Sequence, residues 1–175
     1  MTQASTEDLP LAAPAVAPRR LGLMFATALI ALALDQATKA VAAWALAGDR
    51  TIPLLGHWLQ LRLVRNPGAA FSMGESLTWV FTVLATLVVI GAVWSAPRVR
   101  SRYWAFTLGL LVAGAAGNLA DRLFRPPAFG RGHVVDFIDY AGRFVGNVAD
   151  IAIVAAMVLM MVGVFRGVGL DGARR

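Results

Sequence analysis

Hydrophobic residues along the 175-residue chain fall into four long runs, with polar or periodic segments between them. The first run, LGLMFATALIALALDQATKAVAAWALAG, is largely apolar and is interrupted by Asp35 and Lys39. The second, LTWVFTVLATLVVIGAVWSA, carries no charge. The third, YWAFTLGLLVAGAAGNLADRL, is rich in small residues in its second half, as helices in close contact tend to be. The fourth, NVADIAIVAAMVLMMVGVF, ends at Arg166. About 20 apolar residues cross about 30 Å of hydrocarbon, so the pattern predicts membrane-spanning helices over about 21–46, 77–96, 103–123 and 147–165.

The intervening segments read differently. Residues 51–65 alternate apolar and polar around Trp58-Leu59-Gln60-Leu61-Arg62-Leu63, the period of a half-buried strand, and 66–75 supply turn residues. A small β-strand platform outside the membrane is expected there. The 124–146 segment, with Pro126-Pro127 and four glycines, is expected to be a structured but irregular outer loop. Residues 1–18 lack periodicity, so 1–20 reads as a disordered cytoplasmic tail and 167–175 as a second short tail. A cleaved signal peptide ending at Ala45-Leu46-Ala47 is a rival reading of the first run. Its internal charges and the three later runs argue against that. The expected architecture is an all-α polytopic membrane protein of four spans over residues 21–166, bearing a small extracytoplasmic sheet.

Composition agrees with this class: 58% of residues are hydrophobic, 15% charged, and the mean hydropathy is +0.67. Soluble domains average about 25% charged. All but one of the 16 basic residues are arginine, Lys39 being the exception. They are scattered between apolar runs and build no basic face with interleaved aromatics, so nucleic acid is not an expected partner. Arg19, Arg20, Arg98, Arg100, Arg102, Arg166, Arg174 and Arg175 would lie on one side of four spans. Arg50, Arg62, Arg65, Arg122, Arg125, Arg131 and Arg143 would lie on the other. The tight cationic loop 97–102 tips the orientation toward cytoplasmic termini.

Ionisable residues inside spans mark functional sites by default. At about 1.5 Å per residue, Asp35 lies roughly 22 Å from Arg20, Asn118 roughly 24 Å from Arg102, and Asp150 roughly 24 Å from Arg166. Three helices thus place polar groups at one level, in the outer quarter of the bilayer, with Asp121 and Arg122 just above. Asp35 with Lys39 and Asn147 with Asp150 have spacings that share a helix face. A purely structural account pairs Asp35 with Lys39, and Asp121 or another acid with Arg122. Asp136 and Asp150 have no adjacent cation in sequence.

Most hydrolytic chemistries lack their parts. There is no cysteine, no HExxH and no GxSxG, and His57 and His133 are the only histidines. No metal or other cofactor is expected. A Ser-Lys dyad would have to join Lys39 to Ser72 or Ser76. Carboxylates remain. Two of them close together share a proton, so that one activates water while the other polarises the scissile carbonyl and protonates the leaving amine.

Five motifs then carry a resemblance: Asp35-Gln36-Ala37-Thr38-Lys39; Arg65-Asn66-Pro67-Gly68-Ala69-Ala70-Phe71-Ser72; Gly117-Asn118-Leu119-Ala120-Asp121-Arg122; Val134-Val135-Asp136-Phe137; and Asn147-Val148-Ala149-Asp150. In this order over roughly 21–166, the chain resembles the lipoprotein signal peptidases, or signal peptidase II. These are bacterial inner-membrane aspartic endopeptidases that cut signal peptides from diacylglyceryl-modified prolipoproteins. The resemblance implies Asp136 and Asp150 as the catalytic pair. It implies Asn66, Gly68, Asn118, Asp121, Arg122 and Asn147 as substrate-binding or site-shaping residues, with Asp35 and Lys39 in the first-span motif. Two departures bear on local loop shape: Gly146 stands where the family often has Phe, and Pro67 lies inside the Asn-x-Gly motif. The expected partners are lipidated prolipoproteins and membrane lipids, and the expected state is a monomer. A small proton-coupled transporter or channel, with the acids as a relay, is the alternative.

Overall fold

A computed structural model describes residues 18–68 and 78–173 of the chain. The helices are α1 (Leu21–Ala45), α2 (Thr78–Ser95), α3 (Arg102–Phe124) and α4 (Val148–Phe165), each on one of the four apolar runs. The strands are β1 (Thr51–Leu55), β2 (Leu59–Asn66), β3 (Val134–Tyr140) and β4 (Phe144–Gly146). All four helices are long and apolar enough to cross a membrane. Nearly all of the 1–20 tail, residues 69–77 with Ser72 and Ser76, and Arg174 and Arg175 lie outside the described residues.

Helix α3 is the centre of the bundle and packs against α1, α2 and α4. In lipid, apolar side chains gain little by leaving hydrocarbon for protein, so close approach of small residues carries helix association. Ala105, Gly109, Ala113, Gly114, Ala115 and Gly117 of α3 are all buried. A Cβ at Gly109 would lie 2.7 Å from the Met24 carbonyl, and one at Gly114 2.5 Å from that of Ala149. By contrast α1, α2 and α4 turn most of their apolar surface outward, as lipid-facing helices must.

The sheet is antiparallel in the order β1-β2-β3-β4 and sits at one end of the bundle. It draws on more of the chain than its alternating segment alone, because the second half of 124–146 is not irregular. Val134–Tyr140 is rich in β-branched and aromatic residues and forms the strand between β2 and β4. Its pattern was hard to read because the strand is buried on both faces, so Asp136 and Asp139 replace the expected alternation. Irregular backbone is confined to 125–133, which holds a cis Pro126-Pro127 bond. The start of α2 ties both outer segments down: Thr78 Oγ1 donates to the Pro67 carbonyl (2.5 Å) and Thr82 Oγ1 to that of Gly130 (2.7 Å).

Replacing Gly114 by Val is expected to separate α3 from α4 and lower stability by about 1–3 kcal/mol, the usual cost of overpacking. Gly91→Ala faces open space on α2 and should leave Tm unchanged or raised. Thermal unfolding of the two purified variants checks both.

Candidate active site

The polar groups of the sheet end are organised around one cation. Lys39 is fully buried, and its ammonium lies 2.9 Å from Asp35 Oδ2, 2.9 Å from Asp121 Oδ2 and 3.0 Å from Asn118 Oδ1. All three of its N–H donors are therefore used, and no lone pair is left to activate a serine. Both acids are held from further sides. Asp35 accepts from the Ala149 N–H (2.8 Å) and Gln36 Nε2 (3.0 Å), while Asp121 accepts from Arg125 Nε (2.6 Å) and the Val135 N–H (3.1 Å). Gly117 makes room for this, since a Cβ there would lie 2.5 Å from Asp35 Oδ2.

The Asp35–Lys39 pair stands where the spacing placed it. The partner of Asp121 is not Arg122, however, but Lys39 together with Arg125 one turn further on. The Asp121-to-Arg125 spacing was available in the sequence. The apolar run ends at Leu123, though, whereas α3 runs to Phe124 with Arg125 as its C-cap. Gln36, which also donates to the Gly117 carbonyl (3.1 Å), was likewise not singled out.

Three asparagines carry this order outward, each fixed by a donor that can only face its amide oxygen. Lys39 takes Asn118 Oδ1, so Asn118 Nδ2 donates to Asp150 Oδ1 at 2.8 Å. The Asp150 N–H takes Asn147 Oδ1 (3.0 Å), so Asn147 Nδ2 donates to Asp136 Oδ1 at 2.6 Å. The Gly68 N–H takes Asn66 Oδ1 (2.8 Å), so Asn66 Nδ2 donates to Asp136 Oδ2 at 2.8 Å. The last turn survives Pro67, because its bond spans that residue and needs no N–H from it. Gly68 has φ +119°, a left-handed conformation that suits glycine.

Asp136 and Asp150 are thus joined through Asn147. They come from different elements: Asp136 from β3, Asp150 from the first turn of α4. Asp150 forms a capping box with Asn147, its Oδ2 accepting the Asn147 N–H at 3.0 Å. Asp136 is 2% exposed, whereas Asp150 is only half-buried. Burial pushes the Asp136 carboxyl up to about 6; the charge of Asp150 adds to the rise, and the Asn66 and Asn147 donors and Lys39 oppose it. Asp139 on the same strand behaves oppositely. Burial works to raise it, but Arg62 at 2.6 Å and the Gly142 N–H hold it below the usual carboxylate range. The two acids of β3 therefore differ in kind, one a salt-bridge partner and one with no ion-pair partner among the described residues.

Arg122 completes the ring. Its Nη1 donates to the Asn118 carbonyl at 3.2 Å, and its guanidinium lies 5.8 Å from the centre of the Phe81 ring. Its Nε is enclosed with no hydrogen-bond partner among the described residues. From Asp150 an apolar cleft of ≈ 450 Å³ runs between the sheet and α4, lined by Tyr140, Phe144, Gly146, Ile151 and Val154 among others. Tyr140 and Phe144 stack at 5.9 Å to form one wall. At Gly146 a Cβ would meet the Phe144 ring at 2.7 Å, so that ring occupies the space a larger residue would need. Of the two histidines, His57 lies in the β1–β2 turn against Trp58 and His133 at the start of β3, and neither joins this cluster.

A family model described as signal peptidase (SPase) II, Peptidase_A8, matches residues 27–166. The lipoprotein signal peptidase of Leifsonia xyli subsp. xyli is 44% identical over 168 residues, 94% of this chain and 78% of the relative. That of Rhodococcus jostii is 46% identical over 162 residues, covering 93% and 81%. That of Mycobacterium avium is 44% identical over 158 residues, covering 90% and 87%. A bacterial membrane enzyme solved by the in meso method at 1.9 Å shares the fold, with a TM-score of 0.73 at 24% identity over 87% of this chain and 98% of that one. The 27–166 match takes in most of α1, the other three helices and all four strands, and the chain belongs to the signal peptidase II family of membrane peptidases.

Proposed function

We propose that the chain removes signal peptides from diacylglyceryl-modified prolipoproteins, cutting before the lipidated cysteine, with Asp136 and Asp150 as the catalytic pair. One observation carries the assignment: two carboxylates from different elements share Asn147 and have no ion-pair partner among the described residues, and one of them, Asp150, lines an apolar cleft. Asp35, Asp121 and Asp139, by contrast, are all committed to cations.

Their environments divide the labour. Asp136 is the more buried and its carboxyl is the raised one, so it holds the shared proton, polarises the scissile carbonyl and later protonates the leaving amine. Asp150 lies in the first turn of α4 at the mouth of the cleft, and takes the proton from the attacking water. Asn66, Gly68, Asn118, Asp121, Arg122 and Asn147 shape the site around them, and Asp35 and Lys39 support it from below. The termini are cytoplasmic, and the sheet and the site lie at the outer face of the bacterial inner membrane. The chain works as a monomer, and a substrate confined to the bilayer reaches the cleft from the side along α4. A proton relay is less well supported. Among the described residues no carboxylate, histidine or lysine is buried between Asp35 and the opposite end of the bundle.

Asp136→Asn and Asp150→Asn should each lower cleavage of a lipidated precursor by about 10²–10⁴-fold or more while the protein still folds. Full processing by either variant overturns the assignment, as does failure of the wild type to cut before the lipidated cysteine. The pH profile follows from Asp136. The mechanism needs it protonated, so kcat/KM should decline as pH rises through about 6. Stability has the same sign: the folded state binds this proton more tightly than the unfolded one. Relative to Asp136→Asn, wild-type stability should therefore fall by on the order of 2–3 kcal/mol between pH 4 and 7.

Lys39→Met removes the charge that orients Asn118 and leaves Asp35 buried without a cation, a change of about 3–5 kcal/mol in buried ion pairs. Tm should drop sharply. Lys39→Met with Asp35→Asn should recover much of it, because Asp121 keeps Arg125.

A further inference from the structure

The end of the bundle opposite the sheet holds a second polar feature that proteolysis does not use. Helix α1 starts at Leu21 and α3 at Arg102, and the two starts are tied together where the Arg20 N–H donates to the Val99 carbonyl at 2.9 Å. The C-terminal segment closes over the same end: the N–H groups of Arg100 and Ser101 donate to the Leu170 carbonyl at 2.9 and 3.0 Å, and Trp104 Nε1 to that of Val168 at 2.7 Å. Beside these starts opens a cavity of ≈ 460 Å³, lined by Arg19, Arg20, Gly22, Leu23 and Arg102.

Three cations thus face one space that no carboxylate of the described residues lines. Among the described residues none of the three has an acid within ion-pair distance. Nearby Arg98, by contrast, is occupied: it lies 4.3 Å from the centre of the Trp94 ring and donates to the Trp94 carbonyl at 3.1 Å. Arg20 Nε is enclosed by protein and has no hydrogen-bond partner among the described residues, a donor whose desolvation they leave uncompensated. The first turn of α1 has neither an acidic residue nor a side-chain cap, so its N–H groups add further donors. A ligand that answers this arrangement carries negative charge on several oxygens. Arginine recognises phosphate in this way, through paired N–H donors.

The remaining wall selects among phosphates. Leu23 lines the same cavity and is exposed on the side of α1 that faces lipid, with Phe25 beyond it. A soluble phosphate would leave that apolar edge uncovered. We propose that this cavity binds the phosphate of an anionic membrane phospholipid, with Arg20 and Arg102 flanking the phosphate and the first part of an acyl chain lying along Leu23. The site is independent of the catalytic assignment, because it lies at the other end of the bundle.

Gly22 provides a clean test. A Cβ there meets nothing within 4 Å, so Gly22→Glu places a carboxylate among the arginines without displacing the helix. Purified full-length protein is offered phosphatidylglycerol against phosphatidylcholine in mixed micelles, with retained lipid read by native mass spectrometry. At about one factor of five per arginine, Arg20→Gln with Arg102→Gln should lower phosphatidylglycerol retention roughly 30-fold. Gly22→Glu should lower it about fivefold or more, and Arg20→Lys with Arg102→Lys should restore part of it. Phosphatidylglycerol at about tenfold excess over its Kd should raise the wild-type Tm by about 3–6 °C and that of Gly22→Glu by no more than about half as much. Equal retention by the wild type and these variants overturns the proposal. So does an equal Tm rise with glycerol 3-phosphate or inorganic phosphate, which identifies a soluble anion instead. Retention that appears only after removal of residues 1–17 also overturns it, since Glu7 and Asp8 of that segment would then be the occupants.

Discussion

Everything at the sheet end depends on one buried ammonium. A cation taken out of water costs several kcal/mol unless its surroundings replace the lost hydration. Lys39 meets that requirement with two carboxylates and an amide oxygen from α1 and α3. Each acceptor passes the constraint on. Asp35 receives the Ala149 N–H and so sets the start of α4, while Asp121 receives the Val135 N–H and so sets β3 one residue before Asp136. Asn118, its oxygen claimed, has only its NH₂ to offer Asp150. Four elements, α1, α3, β3 and α4, are registered against one another through a single side chain.

This arrangement sets two aspartates in similar company at different depths. Every oxygen of Asp136 and Asp150 accepts an N–H, so hydrogen bonding alone does not separate them. The separation comes from position. One acid lies in the interior of a strand covered on both faces; the other opens a helix at the mouth of a cleft. A reaction that needs an acid and a base from two identical side chains can obtain them from such a difference in burial.

Much of this was legible in the sequence, for particular reasons. Membrane spans are long and apolar, so their signal is strong, and depth counted from flanking arginines put Asp35, Asn118 and Asp150 at one level, where they meet directly or through Ala149 and Asn118. β3 escaped notice because a strand buried on both faces has no alternation, and its two acids disguise its apolar character. Arg125 escaped because it lies one residue beyond the helix whose acid it serves. The asparagine orientations were out of reach altogether. They depend on which donor faces each amide oxygen, and that is decided by contacts between residues up to 79 positions apart.

The i,i+4 spacing of the two ion pairs has a consequence for biosynthesis. Asp35 and Lys39 lie on α1, and Asp121 and Arg125 at the end of α3, so each hydrophobic segment brings its own counter-ion one turn away. A lone charge at mid-helix costs about 2.5–3.5 kcal/mol on insertion scales, and a partner one turn along eases that cost before any other helix is present. Each of these acids can therefore enter the bilayer with a counter-ion already one turn away. The bond between Lys39 and Asp121 is then the step that converts two self-sufficient helices into one assembled protein.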